Sequence, residues 1–271
     1  MKKWFMTMLV LVLTAGMLAA CGGGEEEGAQ TGEGEGEGSE SGMNLVEDGK
    51  FTFAASGDFA PFSQTGPNGE MTGFDIDVAN AVAEELGLEP VQKKFKFASI
   101  VEGVKTGRFD AAVASHTVTE ERAEHVDFTT PYYYSGPQIF TRPDSDVQTL
   151  DDLKDKEIAV SKGSTYAKSA EEVTDNIINY DSDVTALEAL SKGKHDAVIT
   201  DFVTGKTAIG KGLEIEAREL LGRSEQAIAI AKENDKLLEE VNAALEKLRE
   251  DGTLSEISKE YFDEDITTKP E

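Results

Sequence analysis

The stretch KTGRFDAAVAS (105–115) decides the fold class, because its pattern returns later as SKGKHDAVITD (191–201). Both copies pass from a helix end through a glycine to Asp-Ala, a short apolar run and a polar exit. A continuous apolar run is typical of a strand that a parallel sheet buries on both faces. The repeat therefore predicts two similar α/β lobes, each built around one such strand.

The segments around the two copies alternate between strand and helix patterns. GFDIDVANAVAEELG (73–87) predicts a helix with Asp75 as N-cap and Gly87 as its stop. The other predicted strands are 50–56, 94–97, 138–141, 157–161, 177–180 and 227–231. The other predicted helices begin at Ser99 and cover 165–173, 184–190, 235–250 and 254–261.

The order of these elements predicts that the chain crosses twice between the lobes. We expect lobe 1 to comprise residues 45–139 and 228–271, and lobe 2 to comprise residues 142–225. The hinge strands are expected near 138–142 and 225–230. Two such crossings would allow the lobes to close on each other.

The N-terminus has the pattern of an export signal. Lys2 and Lys3 precede an apolar run, and LAAC ends at Cys21, which predicts a signal peptide over residues 1–20. LAAC also resembles a bacterial lipobox, whose cysteine is lipidated, so we expect Cys21 to carry palmitate and to anchor the chain to the outer face of the cell membrane. The alternative is a buried cysteine that acts as a small apolar residue.

Residues 21–44 are rich in glycine and glutamate and have no basic residue, which predicts a disordered acidic tether. The whole chain has a formal net charge of -27 at pH 7. The part that follows the tether is itself strongly acidic. A surface of this kind lacks the basic patches that nucleic acid and anionic lipid require, so neither is expected as a partner.

The segment ASHTVTEER (114–122) places Arg122 in the first turn of a predicted helix. Free N–H groups already make that turn partly positive, so an arginine there is disfavoured unless an anion lies beside it. The residues themselves leave two alternatives: a bound anion, or a surface pair with Asp127.

A family resemblance emerges from several motifs together. GFDIDVANAVAEEL (73–86) resembles the signature of family 3 solute-binding proteins, the polar amino-acid receptors of bacterial ABC importers. The similarity continues through DFAPF (58–62), LDDLKDKEIAVSKGST (150–165) and HDAVITD (195–201), and it covers residues 50–262 in family order. The resemblance implies an α/β, two-lobe periplasmic-binding-protein-like (type II) fold with two hinge strands and an amino acid enclosed between the lobes.

The resemblance also implies a pocket. Arg122 matches the arginine that forms a two-pronged bond to the ligand α-carboxylate, and Asp201 matches the acid that binds the α-ammonium group. The other matched positions are Phe59, Ile100, Ser115, Thr117 and Thr165. Taken singly, Asp201 could instead cap the following helix and Phe59 could belong to the core.

Two positions depart from the family pattern: His116, where relatives usually carry an apolar residue, and Ser56, where many receptors for basic amino acids have an acid. A lone histidine is more often structural than functional, so His116 has both interpretations. The additional candidates for ligand contact are Ser56, Asp58, Asp75, His116 and Ser164.

We therefore expect a monomeric receptor for a polar or basic amino acid that delivers its ligand to the membrane subunits of an ABC importer. It should need no metal or other cofactor, since the three histidines lack the spacing of a metal site. The alternative is an enzyme of the cyclohexadienyl dehydratase type on the same fold. Such an enzyme would need an acid in the cleft beside the leaving group of the substrate, and the candidates are Asp58 and His116. A sensor domain would need a transmembrane helix and is not expected.

Overall fold

The structure is a computed structural model that describes residues 42–270. The predicted signal peptide, Cys21 and nearly all of the predicted tether lie outside these residues. The strands are β1 Lys50–Ala55, β2 Asp58–Phe59, β3 Ser63–Thr65, β4 Met71–Thr72, β5 Glu89–Lys94, β6 Ala111–Ala112, β7 Val126–Phe128, β8 Tyr133–Ser135, β9 Pro137–Thr141, β10 Ile158–Ser161, β11 Ile177–Tyr180, β12 Ala197–Asp201, β13 Glu216–Leu220, β14 Ser224–Gln226 and β15 Ala229–Ala231. The α-helices are α1 Phe74–Glu85, α2 Ile100–Lys105, α3 Glu120–Ala123, α4 Thr165–Glu171, α5 Asp183–Ser191, α6 Phe202–Gly210, α7 Asp235–Glu250 and α8 Thr253–Phe262.

Two five-stranded sheets share one arrangement. The first has the order β5-β1-β6-β15-β7 and the second β11-β10-β12-β9-β13. In each, the first three strands are parallel, and the fourth runs antiparallel to the strand of the Asp-Ala repeat, β6 or β12. The repeated motif therefore predicts the centre of both sheets correctly.

The hinge lies a few residues earlier than predicted. Strand β9 pairs with β12 in the second sheet, with Phe140 opposite Val198, so residues 138–141 belong to lobe 2 and do not cross between the lobes. The chain instead crosses through β8 and returns through β14, and these two strands pair with each other. The predicted end of the first part of lobe 1 at residue 139 is therefore too late.

Each sheet is covered by its own apolar core. Phe51 and Phe53 of β1 are fully buried together with apolar residues of α1, α7 and α8. The second sheet buries one cluster around Ile158 and another around Phe140. The tyrosine run before the hinge packs inside, since Tyr132 stacks on Phe74 and Tyr133 meets the same ring edge-on.

The structure corrects two local predictions. Helix α1 is capped by Gly73 and not by Asp75. Gly73 has φ +132°, and a Cβ atom there would lie 2.4 Å from the Phe62 carbonyl oxygen, so a side chain would not fit. Strand β5 lies earlier than the predicted strand 94–97, since it ends at Lys94. Phe97–Ser99, the end of the predicted strand and the residues after it, form a 3-10 turn instead.

Candidate functional site

A pocket lies between the lobes. Ser56 follows β1, Ser115 follows β6 and Ser161 ends β10, so parallel strands of both sheets point their carboxyl ends at it. Open α/β sheets generally bind ligands at such ends. The lining residues are Ser56, Asp58, Phe59, Phe97, Ser115, Thr117, Arg122, Ser161, Ser164, Thr165, Tyr166, Asp181, Ser182 and Asp183.

Arg122 is the only basic side chain among the described residues that line the cavity. It is the third residue of α3, and its backbone N–H donates to the hydroxyl of the capping Thr119 over 3.2 Å. Its Nη1 donates to the Thr117 carbonyl over 2.8 Å, and its Nη2 donates across the cleft to the Gly163 carbonyl over 3.0 Å. Asp127 pairs with Lys232 instead, so the described contacts do not include a pair between Arg122 and Asp127.

The two lobes touch across the cavity and are closed over it. The hydroxyl oxygens of Thr117 and Thr165 lie 3.4 Å apart. At the rim, the Ser182 hydroxyl donates to the Asp58 carbonyl over 2.7 Å. Ser164 precedes α4 and is buried, and its hydroxyl has no hydrogen-bond partner within the described part of the chain.

Phe59 and Phe97 are the aromatic residues that line the cavity from lobe 1. Phe97 was missed by the sequence prediction, which named Phe59 and Ile100 as the apolar residues beside the ligand side chain. The 3-10 turn Phe97–Ser99 brings Phe97 to the cavity, whereas Ile100 begins α2 and is fully buried in the lobe 1 core.

His116 does not line the cavity. Its imidazole stacks on Phe97 with the ring centroids 4.6 Å apart, and its side chain is almost completely buried. Burial and the positive charge of Arg122 hold the pKa of His116 well below its usual value, so the ring is neutral. His116 thus supports the Phe97 wall from behind, and the structural interpretation of this residue is favoured.

Three aspartates, Asp58, Asp181 and Asp183, also line the cavity. Asp58 pairs with Lys94 at 2.7 Å and Asp181 with Lys96 at 3.5 Å, and both side chains are largely exposed. Asp183 is buried and accepts a hydrogen bond from the Thr200 hydroxyl over 2.6 Å. Burial raises the pKa of Asp183 to about 6.

Asp201, which the resemblance assigns to the ligand ammonium group, is not among the residues that line the cavity. It caps α6, where its Oδ1 accepts the backbone N–H groups of Val203 and Thr204 over 2.8 and 3.3 Å. Tyr166, which does line the cavity, donates to its Oδ2 over 3.3 Å. Burial, with a smaller contribution from the charge of Asp183, raises the pKa of Asp201 to about 6. Asp201 therefore lies one side chain behind the wall.

Asp75 is likewise placed behind the wall. It is fully buried and accepts hydrogen bonds from the Ser115 and Tyr132 hydroxyl groups over 2.8 and 2.6 Å. Burial raises the pKa of Asp75 to about 7. The prediction of Asp75 as a direct ligand contact is therefore not supported, although Asp75 holds Ser115, which lines the cavity.

This fold and cavity agree with a known family. A family model for bacterial extracellular solute-binding proteins, family 3, matches residues 51–264. This chain is a family 3 solute-binding protein. The resemblance stated from the sequence is confirmed, and the two-lobe type II fold is the family's fold.

The solute-binding protein resembles relatives over nearly its whole length. It is 34% identical to the probable amino-acid-binding protein YxeM of Bacillus subtilis, over 99% of this chain and 98% of the relative. It is 31% identical to the L-cystine-binding protein TcyJ of Escherichia coli K12, over 83% of this chain and 87% of the relative. A solved ancestral arginine-binding protein bound to glutamine superposes with a TM-score of 0.75 at 32% identity, covering 80% of this chain and 100% of that one.

The family places this solute-binding protein outside the cytoplasm and makes it a binding protein, not an enzyme. The dehydratase alternative is therefore set aside. Within residues 42–270, none of the helices combines the length and apolar character that crossing a bilayer requires.

Most of the predicted contacts do line one cavity: Ser56, Asp58, Phe59, Ser115, Thr117, Arg122, Ser164 and Thr165. Ile100, Asp75, His116 and Asp201 lie behind its wall. The sequence prediction missed Phe97, Ser161, Tyr166, Asp181, Ser182 and Asp183. The only available signal was the position of several of these residues at predicted strand ends and helix starts.

Proposed function

We propose that the protein is a lipid-anchored receptor that binds a polar or basic amino acid between its lobes and delivers it to the membrane subunits of an ABC importer. One observation carries this proposal: a single, half-buried arginine and three aspartates line one closed cavity. Amino acids are zwitterions, and a cavity of this kind complements both of their charges.

The α-carboxylate is assigned to Arg122. A guanidinium group has five N–H donors, of which two are used by the carbonyl groups of Thr117 and Gly163. The remaining donors suit the two oxygens of a carboxylate, which is the pairing that arginine makes best. Thr117 and Thr165 lie beside this position and can donate their hydroxyl protons to the same anion.

The α-ammonium group is assigned to the acidic wall, with Asp183 in the wall and Asp201 behind Tyr166. Both carboxyl groups are buried, and each lacks a basic partner among the described ion pairs. A cation beside them would offset the unfavourable burial of their negative charges. Because Arg122 comes from lobe 1 and these acids from lobe 2, one zwitterion would stabilise the closed form.

The ligand side chain is expected to extend between Phe59 and Phe97 toward Asp58 and Asp181. The aromatic rings suit methylene groups, while the two rim carboxylates favour a polar or cationic end and disfavour a second carboxylate. A solved ancestral protein named for arginine is bound to glutamine, and both of these amino acids have a polar or cationic end of this kind. We expect leucine, valine, glutamate and aspartate to bind weakly.

The membrane anchor is assigned to Cys21, with residues 22–44 as a spacer. Changing Cys21→Ala should release the protein from the membrane fraction while its affinity for amino acids stays unchanged, because the described residues that line the cavity all lie between Ser56 and Asp183. A variant that stays with the membrane would exclude anchoring through Cys21.

Calorimetry on matched arginine variants tests the binding site. Wild type would first be screened by thermal shift against the twenty amino acids and L-cystine, since a ligand at 100 times its Kd stabilises a fold by about 2.7 kcal/mol. The tightest ligand would then be titrated into Arg122→Ala, Arg122→Lys and, as a control, Arg108→Ala. Arg108 is exposed and stacks on Phe95 outside the cavity, with its guanidinium carbon 4.5 Å from the ring centroid.

We expect Arg122→Ala to weaken binding by at least about a hundredfold, because removing one partner of a buried charge pair costs roughly 2–5 kcal/mol. Arg122→Lys should recover little, because lysine lacks the planar fork. Arg108→Ala should bind like wild type. Equal affinities of Arg122→Ala and wild type would exclude the assignment of the α-carboxylate to Arg122.

A further inference from the structure

Asp75, Ser115 and Tyr132 form a closed triangle of hydrogen bonds beneath the cavity wall. The Ser115 hydroxyl donates to Asp75 Oδ2 over 2.8 Å, and the Tyr132 hydroxyl donates to Asp75 Oδ1 over 2.6 Å. The Ser115 backbone N–H donates to the Tyr132 oxygen over 2.9 Å. Asp75 and Tyr132 are fully buried, so the polar atoms of the triangle depend on one another.

Ser115 is held in an unusual backbone conformation. Its φ is +56°, in the left-handed region that a residue with a side chain rarely adopts. Such a conformation persists only where surrounding contacts impose it. The triangle supplies those contacts, because it fixes both the backbone N–H and the hydroxyl group of Ser115.

The conformation of Ser115 sets the direction of the segment that carries the anion site. Two residues later, the Thr117 carbonyl accepts the hydrogen bond from Arg122 Nη1. Tyr132 connects the same triangle to the hinge, because its backbone N–H donates to the Gln226 carbonyl at the end of β14 over 2.9 Å. Asp75 thus lies at the junction of α1, the cavity wall and the hinge.

We propose that Asp75 is a positioning residue for ligand binding, which holds Ser115 and the segment through Thr117 in the geometry that Arg122 needs, without contacting the ligand. This inference rests on the proposed amino-acid site. It differs from an electrostatic role, in which the negative charge of Asp75, together with the nearby Asp201, would attract the ligand ammonium group directly.

Two substitutions of Asp75 separate these roles. Asparagine keeps the shape of the side chain and can accept from Tyr132 while donating to the Ser115 hydroxyl, so the triangle survives without the charge. Alanine removes the triangle as well as the charge. Tyr132→Phe keeps the charge of Asp75 and removes two of the three hydrogen bonds.

The experiment is calorimetry on the full chain, with the tightest binder among the twenty amino acids and L-cystine as the probe. Asp110→Ala is the matched control. Asp110 is another buried aspartate of lobe 1, which accepts the backbone N–H groups of Val46 and Thr52 away from the cavity. Circular dichroism and thermal melting would establish that each variant is folded.

We expect Asp75→Ala to weaken binding by about tenfold or more and Asp75→Asn by less than about threefold, since hydrogen bonds to a charged group are worth roughly 1.5–3 kcal/mol. Tyr132→Phe should weaken binding by about threefold or more, and Asp110→Ala should lower the melting temperature and leave Kd within about twofold.

Three results would overturn the inference: a folded Asp75→Ala with wild-type affinity, an Asp75→Asn as weak as Asp75→Ala, or a Tyr132→Phe with wild-type affinity. The last of these decides the question if Asp75→Ala does not fold. Wild type that binds none of the probes would overturn the proposed function itself, and this inference with it.

Discussion

The two copies of the Asp-Ala strand fold alike but end differently. Asp110 precedes β6 and accepts the backbone N–H groups of Val46 and Thr52 over 2.7 and 2.6 Å. Asp196 precedes β12 and accepts the backbone N–H of Glu157, just ahead of β10, over 2.9 Å. In both lobes this aspartate therefore ties the repeated strand to the start of its parallel neighbour.

The residues that follow these two strands differ in charge and in conformation. After β6 the chain turns at Ser115 and runs through an extended segment before α3 presents Arg122. After β12 the chain enters α6 at once, and Asp201 is used as its cap. One supersecondary unit is thus followed in lobe 1 by an arginine that lines the cavity and in lobe 2 by buried negative charge. The strand repeat specifies the sheet, and the few residues after it differ between the lobes.

The buried acids of lobe 2 are tested first, because their effect should be the largest after that of Arg122. Asp183→Asn and Asp201→Asn are each expected to weaken amino-acid binding by about thirtyfold or more, because each removes a buried negative charge from the cavity wall or from directly behind it. Asp175→Asn, an exposed position of the same lobe, serves as the control in calorimetric titrations. If only Asp183→Asn weakens binding, Asp201 is a helix cap and nothing more.

The sequence predicts the regular parts of this molecule better than the site. Helix 235–250 and strand 177–180 agree with α7 and β11 residue for residue, because their patterns are local. Phe97 was missed because a 3-10 turn, which has no clear sequence pattern, replaces the predicted strand. Asp183 and Tyr166 reach the cavity only through the packing of two lobes, which no local pattern encodes. The sequence could not show that Asp201 caps a helix behind the cavity wall, because an N-cap and a ligand acid use the same residue type.

The two repeated aspartates should differ in their contribution to stability. Asp110 is buried and accepts two backbone hydrogen bonds, whereas Asp196 is only partly buried and accepts one. We expect Asp110→Asn to lower the free energy of unfolding by about 1–3 kcal/mol and Asp196→Asn by less than about 1 kcal/mol. Urea denaturation of both variants measures this, and equal losses would show that the two units are not distinguished by burial.

The stability of the ligand-free protein and its affinity for the ligand should change in opposite directions with pH. Burial raises the pKa of Asp75 to about 7 and the pKa values of Asp183 and Asp201 to about 6, from 3.8. These groups bind protons more tightly in the folded chain, so their contribution to the stability of the ligand-free protein rises as the pH falls from about 8 toward 5. Binding of an ammonium group requires the ionised carboxylates, so affinity should fall over the same range.

Melting temperatures and calorimetric Kd values at pH 8, 7, 6 and 5 test these opposite trends. Asp183→Asn is the matched variant, since it removes one of the titrating groups. An affinity that rises as the pH falls would contradict an acidic wall for the ligand cation.

The smallest expected effect concerns the aromatic wall. Phe97→Leu should weaken binding by only about three- to tenfold, because leucine keeps much of the apolar area. Ile100→Val should lower the free energy of unfolding by about 0.5–1.5 kcal/mol without changing affinity, because Ile100 packs in the core behind the wall. If Ile100→Val instead changes affinity and Phe97→Leu does not, the assignment from the sequence is right and the wall described here is wrong.

The most direct test of the central claim uses the ligand as well as the protein. The tightest amino acid and its α-carboxamide would be titrated into wild type and Arg122→Ala by calorimetry. If Arg122 binds the α-carboxylate, the amide should bind wild type at least about a hundredfold more weakly than the acid, and Arg122→Ala should hardly distinguish the two. The same preference for the acid in wild type and in Arg122→Ala would show that another group binds the carboxylate and would contradict the account.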